Sequence, residues 1–163
     1  MKYKVLFIDL DGTLTDTVSG STFPQGVWDM KLKFDVFDAI LRMHPEKVFI
    51  VTNQGGIEAG YVSEGAVRIK LNYVTQCVLD YCKVEVCASG YSRTNHKDDP
   101  LRKPNTGMLD LFRKRFKFDL NECLMVGDAS GFPGQFSDSD KKAAENFGID
   151  YLDVSDFVKL YSF

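Results

Sequence analysis

Two carboxylates two residues apart, Asp9 and Asp11, close an apolar run and are followed at once by Gly12 and Thr13. An apolar strand that delivers a carboxylate at its last residue puts charge where burial is costly, so the group needs a cation or hydrogen-bond donors. Gly12 permits a sharp exit from the strand, which lets both acids share one site. A calcium-binding loop does not fit, because Gly20 stands where its bidentate glutamate would fall. The plain alternative is a capping or turn aspartate, which needs neither a second acid nor a buried strand before it. Three more polar residues fall at or just beyond other strand ends: Thr52 after VFIV, Lys103 in a later loop, and Asp128 after LMVG. Singly, Thr52 fits a turn cap, Lys103 a solvated lysine and Asp128 a turn residue. As a set they fit phosphoryl transfer through a carboxylate nucleophile, which splits hydrolysis of a phosphate monoester into two displacements. A second acid would protonate the leaving alcohol and then activate water. Acids on separate strands would hold one Mg²⁺, while a hydroxyl and an ammonium neutralise phosphoryl oxygens.

The elements that must position these residues alternate along the whole chain, which predicts an α/β fold with a central parallel sheet. Residues 4–9 (KVLFID) read as a strand buried on both faces, since the apolar residues are continuous. Residues 47–52, 84–88, 123–126 and 151–153 read likewise. Between them the spacing predicts a helix with Phe34, Phe37, Ile40 and Leu41 inward. A longer one has Ala66, Ile69, Tyr73, Val74, Cys77, Val78 and Tyr81 on one stripe. Further helices are predicted over 107–116, from just after Ser137 to a cap at Gly148, and after Ser155. The segments 12–33, 53–62 and 90–106 are too long for simple turns and leave from strand carboxyl ends, where ligands of parallel sheets bind. The expectation is a Rossmann-like three-layer α/β domain spanning residues 1–163, with no room between motifs for a cap domain.

The 163 residues are 44% hydrophobic and 26% charged, which excludes disorder and low complexity. A net charge of −3 provides no global positive field, so any polyanion must be gripped locally. Asp9 interrupts the first apolar run, and nothing approaches the length of a membrane span. Cys77, Cys82, Cys87 and Cys123 form no CxxC pair, and His44 and His96 are isolated, so the cysteines read as free core thiols and no zinc site is predicted. The expected setting is cytoplasmic, or nuclear in a eukaryote, without secretion.

The order DxDGT, strand-end Thr, Lys and GD resembles the haloacid dehalogenase superfamily of phosphohydrolases over nearly the whole chain. Within it the sequence is similar to the polynucleotide kinase 3′-phosphatase family. The similarity lies in Ser19-Gly20-Ser21-Thr22-Phe23-Pro24, in Thr52-Asn53-Gln54, in Arg102 to Met108 (RKPNTGM), in Val126 to Ala129 (VGDA), and in the run from Phe136 to Gly148. The resemblance implies Asp9 as nucleophile and Asp11 as general acid/base. It implies Thr52 and Lys103 as phosphoryl ligands, and Mg²⁺ held by Asp9, the Asp11 carbonyl and Asp128. Asp140 would orient Lys103 or a metal-bound water, or simply sit in the first turn of a helix. Ser19, Phe23, Asn53 and Arg102 are the expected substrate contacts.

An uncapped site suits a bulky substrate such as a polynucleotide end, DNA ahead of RNA. Lys31, Lys33, Arg93, Lys97 and Arg102 are placed to meet its backbone, and Phe23, Trp28, Tyr91 and Phe132 to stack on a base. Phe132 stands where a basic residue is expected in relatives, and the stretch from Asp128 to Phe136 is shorter. No GxxxxGK[ST] loop occurs, so the sequence predicts a phosphatase without a 5′-kinase. One uncapped domain with a bulky substrate is expected to be a monomer, and a separate kinase or ligase is a candidate partner that the sequence leaves open. The alternative is a small-molecule phosphatase of the histidinol-phosphate or heptose-bisphosphate type. Those relatives commonly carry a Cys/His zinc loop before the RKP motif, and the segment 89–101 has no cysteine. A phospho-acceptor signalling domain fits less well, since the strand ending in Thr52 supplies no acceptor acid.

Overall fold

The central apolar runs become strands because their side chains are buried on two faces at once. In the computed structural model, which describes residues 2–162, Val5–Ile8 forms β1 with all four residues buried. Leu6 and Ile8 enter one hydrophobic cluster and Val5 and Phe7 the other, so the run is continuous rather than alternating. The remaining strands are β2 (Thr15–Asp16), β3 (Lys31–Leu32), β4 (Lys47–Asn53), β5 (Val86–Ser92), β6 (Cys123–Gly127) and β7 (Asp150–Asp153). Five of them form one parallel sheet in the order β5-β4-β1-β6-β7, and β2 and β3 pair as a separate antiparallel ribbon. The helices are α1 (Phe34–Met43), α2 (Glu64–Cys82), α3 (Gly107–Phe116), α4 (Ser139–Phe147) and α5 (Val154–Tyr161). Residues of α1, α2 and α5 cover the face bearing Leu6 and Ile8, and those of α3 and α4 cover the face bearing Val5 and Phe7. This is the expected Rossmann-like, three-layer α/β arrangement. Phe7 stacks on Phe49 at 5.1 Å and Phe49 on Phe112 at 5.0 Å, which ties two central strands to α3.

From β1 the chain steps to β4 and β5 on one side, then crosses back to β6 and β7 on the other. The strand order therefore reverses around β1, and its carboxyl end faces the crevice between diverging connections. Asp9 follows β1 there. Only the β2–β3 ribbon and α1 intervene between β1 and β4, and only α2 between β4 and β5.

Several expectations need correction. β5 begins and ends later than residues 84–88, because Tyr91 and Ser92 still pair with Thr52 and Asn53 although Gly90 and Ser92 break the apolar pattern. Helix α2 buries Val67, Lys70, Leu71, Val74, Val78 and Cys82, leaving Ile69, Tyr73 and Tyr81 exposed. The packed face is thus displaced from the most apolar one and includes a lysine. In α1, Phe37 and Ile40 are buried while Phe34 and Leu41 are exposed. Cys82 and Cys123 are buried, and burial pushes both thiols up to about 12. Cys87 lies on the edge strand and Cys77 at the margin of α2, so both are only half-buried; all four cysteines are free. Among the described residues no helix is long and apolar enough to cross a membrane.

Candidate active site

Asp9 stays in register with the sheet because its N–H donates to the Val126 carbonyl at 3.0 Å. Its carboxyl is buried and meets an equally buried ammonium. Lys103 Nζ donates to Asp9 Oδ1 at 2.9 Å, to the Val51 carbonyl at 2.8 Å and to Asp140 Oδ1 at 2.6 Å. Lys103 comes from a long loop, yet its backbone is held at both polar groups. Asn53 Nδ2 donates to the Lys103 carbonyl, and Lys103 N–H to Asn53 Oδ1, each at 2.9 Å. Asp140, in the first turn of α4, accepts from the Ala129 N–H through Oδ2 at 3.1 Å. A Cβ on Gly127 would lie 2.2 Å from that same oxygen, so the Gly-Asp sequence after β6 makes room for Asp140. Gly12 has φ +82°, and a Cβ there would lie 2.0 Å from Asp128 Oδ2. That position needs glycine both for its turn and for the approach of a carboxylate.

Asp9, Asp128 and Asp140 carry oxygens all within 4.8 Å of one another. Thr13 Oγ1 lies 3.4 Å from Asp9 Oδ2 and 3.5 Å from Asp128 Oδ1. Burial pushes the Asp9 carboxyl well above the usual range; Lys103 opposes this, while Asp140 and Asp128 add to it. Burial also raises Asp128, with the Asp140 charge next. Burial works against the Lys103 charge, but Asp140 and Asp9 hold its pKa above the ordinary lysine value. Ionised together, the three carboxyls would leave two negative charges uncompensated by the one ammonium, the strain that raises Asp9 and Asp128, and the donors are hard oxygens. That combination fits a divalent cation of the Mg²⁺ kind. Both oxygens of Asp140 are already engaged by Lys103 and Ala129, so Asp9 and Asp128 are the carboxylates with capacity to spare.

Asp11 is placed differently from Asp9. Its carboxylate is partly exposed and forms an ion pair with Lys70 through Oδ1. Gln54 Nε2 donates to its Oδ2 at 2.9 Å and to Thr52 Oγ1 at 2.8 Å. Thr52 is itself buried at the end of β4. The Asp11 side chain therefore turns away from the carboxylate cluster toward α2.

A cavity of about 930 Å³ opens over these groups and collects most of the residues singled out from sequence. Asp9, Asp11, Thr52 and Asn53 line it, as do Lys103, Asp128, Arg102 and Phe23. Asn53 has its amide committed to the Lys103 backbone, and Arg102 Nη1 donates to the Thr94 carbonyl at 3.0 Å. Ser19 does not line the cavity. Its N–H and Oγ donate to the two oxygens of Asp29 at 2.8 and 2.7 Å, and Gln25 N–H adds a third bond at 3.0 Å. Asp29, fully buried, thereby ties down the loop that presents Phe23. Phe132 also stands outside the cavity; Phe136 lines it instead, edge-on to Phe23 with centroids 5.5 Å apart. Of the expected basic residues, Lys97 and Arg102 reach the lining, joined by Lys142. Lys33 Nζ donates to the Gly12 carbonyl at 3.4 Å, and Arg93 pairs with Glu64 at 3.6 Å. Tyr91 donates to Glu64 at 2.7 Å, away from the cavity lining.

Residues 4–157 match the model of the family described as polynucleotide kinase 3 phosphatase. The chain belongs to this family. Membership places it among phosphoric monoester hydrolases of the haloacid dehalogenase superfamily. A bifunctional polynucleotide phosphatase/kinase of Schizosaccharomyces pombe is 30% identical over 98% of this chain, which spans 38% of that longer protein. A probable D-glycero-D-manno-heptose-1,7-bisphosphate 7-phosphatase of Thermoplasma volcanium is 28% identical, over 82% of this chain and 91% of its own length. The fold is shared with D,D-heptose 1,7-bisphosphate phosphatase from B. bronchiseptica, solved in complex with magnesium and phosphate. The TM-score is 0.72 at 22% identity, covering 91% of this chain and 78% of that one.

Proposed function

We propose that this member of the family is a Mg²⁺-dependent phosphatase that removes 3′-phosphate from polynucleotide ends, DNA ahead of RNA, through a phosphoryl group carried on Asp9. The observation that carries this reading is the pairing of Asp9 with buried Lys103 beneath a cavity bearing Phe23, Phe136, Lys97, Arg102 and Lys142. The Thr52 hydroxyl and the Lys103 ammonium take oxygens of the phosphoryl group and hold phosphorus in line with Asp9. An Asp9 oxygen bonds to phosphorus as the bond to the 3′-oxygen breaks, and Asp11 gives that leaving oxygen its proton. In the second displacement a water attacks phosphorus, gives its proton to Asp11, and the bond to Asp9 breaks. Asp9, the Asp11 carbonyl and Asp128 would hold Mg²⁺, with Asp140 holding Lys103; the ion supplies neutralisation of charge on the transferring group. Phe23 and Phe136 give a terminal base two aromatic surfaces, and the basic rim meets the backbone phosphates.

A second reading, hydrolysis of a heptose-bisphosphate-like sugar phosphate, is favoured by the match over 91% of the Thermoplasma volcanium protein. Phosphate release from a 3′-phosphorylated oligonucleotide, a 5′-phosphorylated one, heptose bisphosphate and histidinol phosphate separates the two. Each is run with Mg²⁺ and with EDTA, with Asp9→Asn as blank. Mg²⁺-dependent turnover confined to the 3′-end is the expected result; preference for a sugar or amino-alcohol phosphate replaces the polynucleotide assignment.

A further inference from the structure

Two side chains await the phosphoryl group in the reading above, the Lys103 ammonium and the Thr52 hydroxyl. An ammonium can only donate, but a hydroxyl donates or accepts, so Thr52 serves only if its hydrogen is turned toward the cavity. Gln54 decides this. Its Nε2 lies 2.9 Å from Asp11 Oδ2 and 2.8 Å from Thr52 Oγ1. Asp11 is a carboxylate ion-paired with Lys70 through its other oxygen, and a carboxylate only accepts. Turned over, the amide would set its own oxygen against Asp11 Oδ2 with no hydrogen between them. The NH₂ group therefore faces Asp11, one of its hydrogens goes there, and the other goes to Thr52 Oγ1. Thr52 accepts from Gln54 and keeps its own hydrogen unspent. Among the described residues no group takes that hydrogen, although Thr52 is buried and lines the cavity. A buried donor without an acceptor is costly, and an anion in the cavity would supply the acceptor. Gln54 is itself fixed, since its N–H donates to the Ser92 carbonyl at 2.8 Å and its carbonyl accepts from the Ile57 N–H at 3.1 Å. Asn53 holds the Lys103 backbone, so the two residues after Thr52 each set one phosphoryl ligand.

We propose that Gln54 is a positioning residue for the phosphoryl group: it holds the Thr52 hydroxyl as a dedicated donor, and it acts on the binding of that group only through Thr52. The proposal rests on the reading of Thr52 as a phosphoryl ligand, and it holds for a polynucleotide or a sugar phosphate alike. It concerns how the group is received and asks for no proton on Asp11. A hydroxyl whose lone pair is already taken by Gln54 has its hydrogen directed before the anion arrives, so no internal bond is broken on binding. Without Gln54 the hydroxyl rotates among several directions, and part of its bond to phosphate is lost in ordering it. A glutamine that only supports folding has no such dependence on the hydroxyl.

The test is a double-mutant cycle read as inhibition of 4-nitrophenyl phosphate turnover by inorganic phosphate, with Gln54→Met made in the wild type, in Thr52→Val and in Thr52→Ser. Gln54→Met is expected to weaken phosphate inhibition by about 3–10-fold where a hydroxyl is present, in the wild type and in Thr52→Ser, the size of one hydrogen bond. In Thr52→Val it should change inhibition by less than about twofold. Gln54→Glu carries the test should Gln54→Met fail to give a wild-type circular dichroism spectrum. Its carboxylate accepts from Thr52 and diverts the hydrogen; its charge repels phosphate in every background, so only the excess over its effect in Thr52→Val is counted. That excess should be at least as large as the effect of Gln54→Met. Equal weakening with and without the Thr52 hydroxyl, or no weakening in either Gln54 variant, overturns the proposal and leaves Thr52 as a phosphoryl ligand. Unchanged inhibition in Thr52→Val alone is a separate outcome, which removes the reading of Thr52 itself and the proposal with it.

Discussion

Asp140→Asn removes a charge while keeping the side-chain shape, and it asks whether Asp140 is what holds Lys103 to the loop after β6. The two oxygens of Asp140 accept from different donors, Lys103 Nζ at 2.6 Å and Ala129 N–H at 3.1 Å. An asparagine offers one acceptor oxygen and one amide that only donates, so one of these donors must face an NH₂ group. Leaving the Ala129 N–H unpaired in a buried place costs about 1–3 kcal/mol. Breaking a buried ion pair outright costs about 3–5 kcal/mol. Two features offset this: Lys103 keeps Asp9 and the Val51 carbonyl, and the carboxyls of Asp9 and Asp128 are relieved of a neighbouring charge. The net loss is placed at about 2–4 kcal/mol. For a domain of this size that lowers Tm by about 4–16 °C. Circular dichroism melts of both proteins in EDTA measure it, with phosphate release as a parallel readout that should fall as Lys103 loses its fixed position. A Tm within about 2 °C of wild type, with unchanged turnover, would refute the assignment of Asp140 as the anchor of Lys103.

Other outcomes follow from the same geometry. Mg²⁺ should raise Tm by binding only the folded cluster, by about 2.7 kcal/mol of stability at a hundredfold excess over Kd, and Asp128→Asn should abolish the effect in thermal melts. The Ser19 hydroxyl, opposed by burial and helped by the Gln25 and Ser19 amides, holds the Asp29 carboxyl down to about 2. A depressed carboxyl stabilises the loop above its unfolded pKa near about 4 and loses that contribution as pH falls toward about 2. Fluorescence of the adjacent Trp28 should change over that window and not in Asp29→Asn. Phe136→Ala should weaken KM for a 3′-phosphorylated oligonucleotide by about 1–3 kcal/mol while leaving 4-nitrophenyl phosphate turnover near wild type, measured in parallel kinetics.

The parts of the site legible in sequence are those governed by the sheet. A strand buried on both faces announces itself by an unbroken apolar run, and the polar residue that ends it must lie at the crevice; this located Asp9, Thr52 and Asp128. Lys103 was legible only as one member of that set, since its loop carries no periodicity and its position depends on Asn53. Lys70 was hidden because a lysine between Ile69 and Leu71 reads as the solvent side of a helix. Its burial depends on a carboxylate 59 residues earlier in the chain. Asp29 was hidden for the converse reason: it serves a loop whose donors, Ser19 and Gln25, have no fixed spacing from it. Phe136 lay within a recognised run, but only the folded loop turns its ring onto Phe23.

The central claim, that phosphoryl transfer passes through Asp9, is tested most directly by acid-quenching the enzyme during turnover of a 3′-phosphorylated oligonucleotide, reducing with borohydride, and sequencing the peptides by mass spectrometry. An aspartyl phosphate is reduced to an alcohol, so the predicted result is substrate-dependent conversion of the Asp9 side chain and of no other carboxylate. Conversion at a different acid, or none in an enzyme that is releasing phosphate, would contradict it.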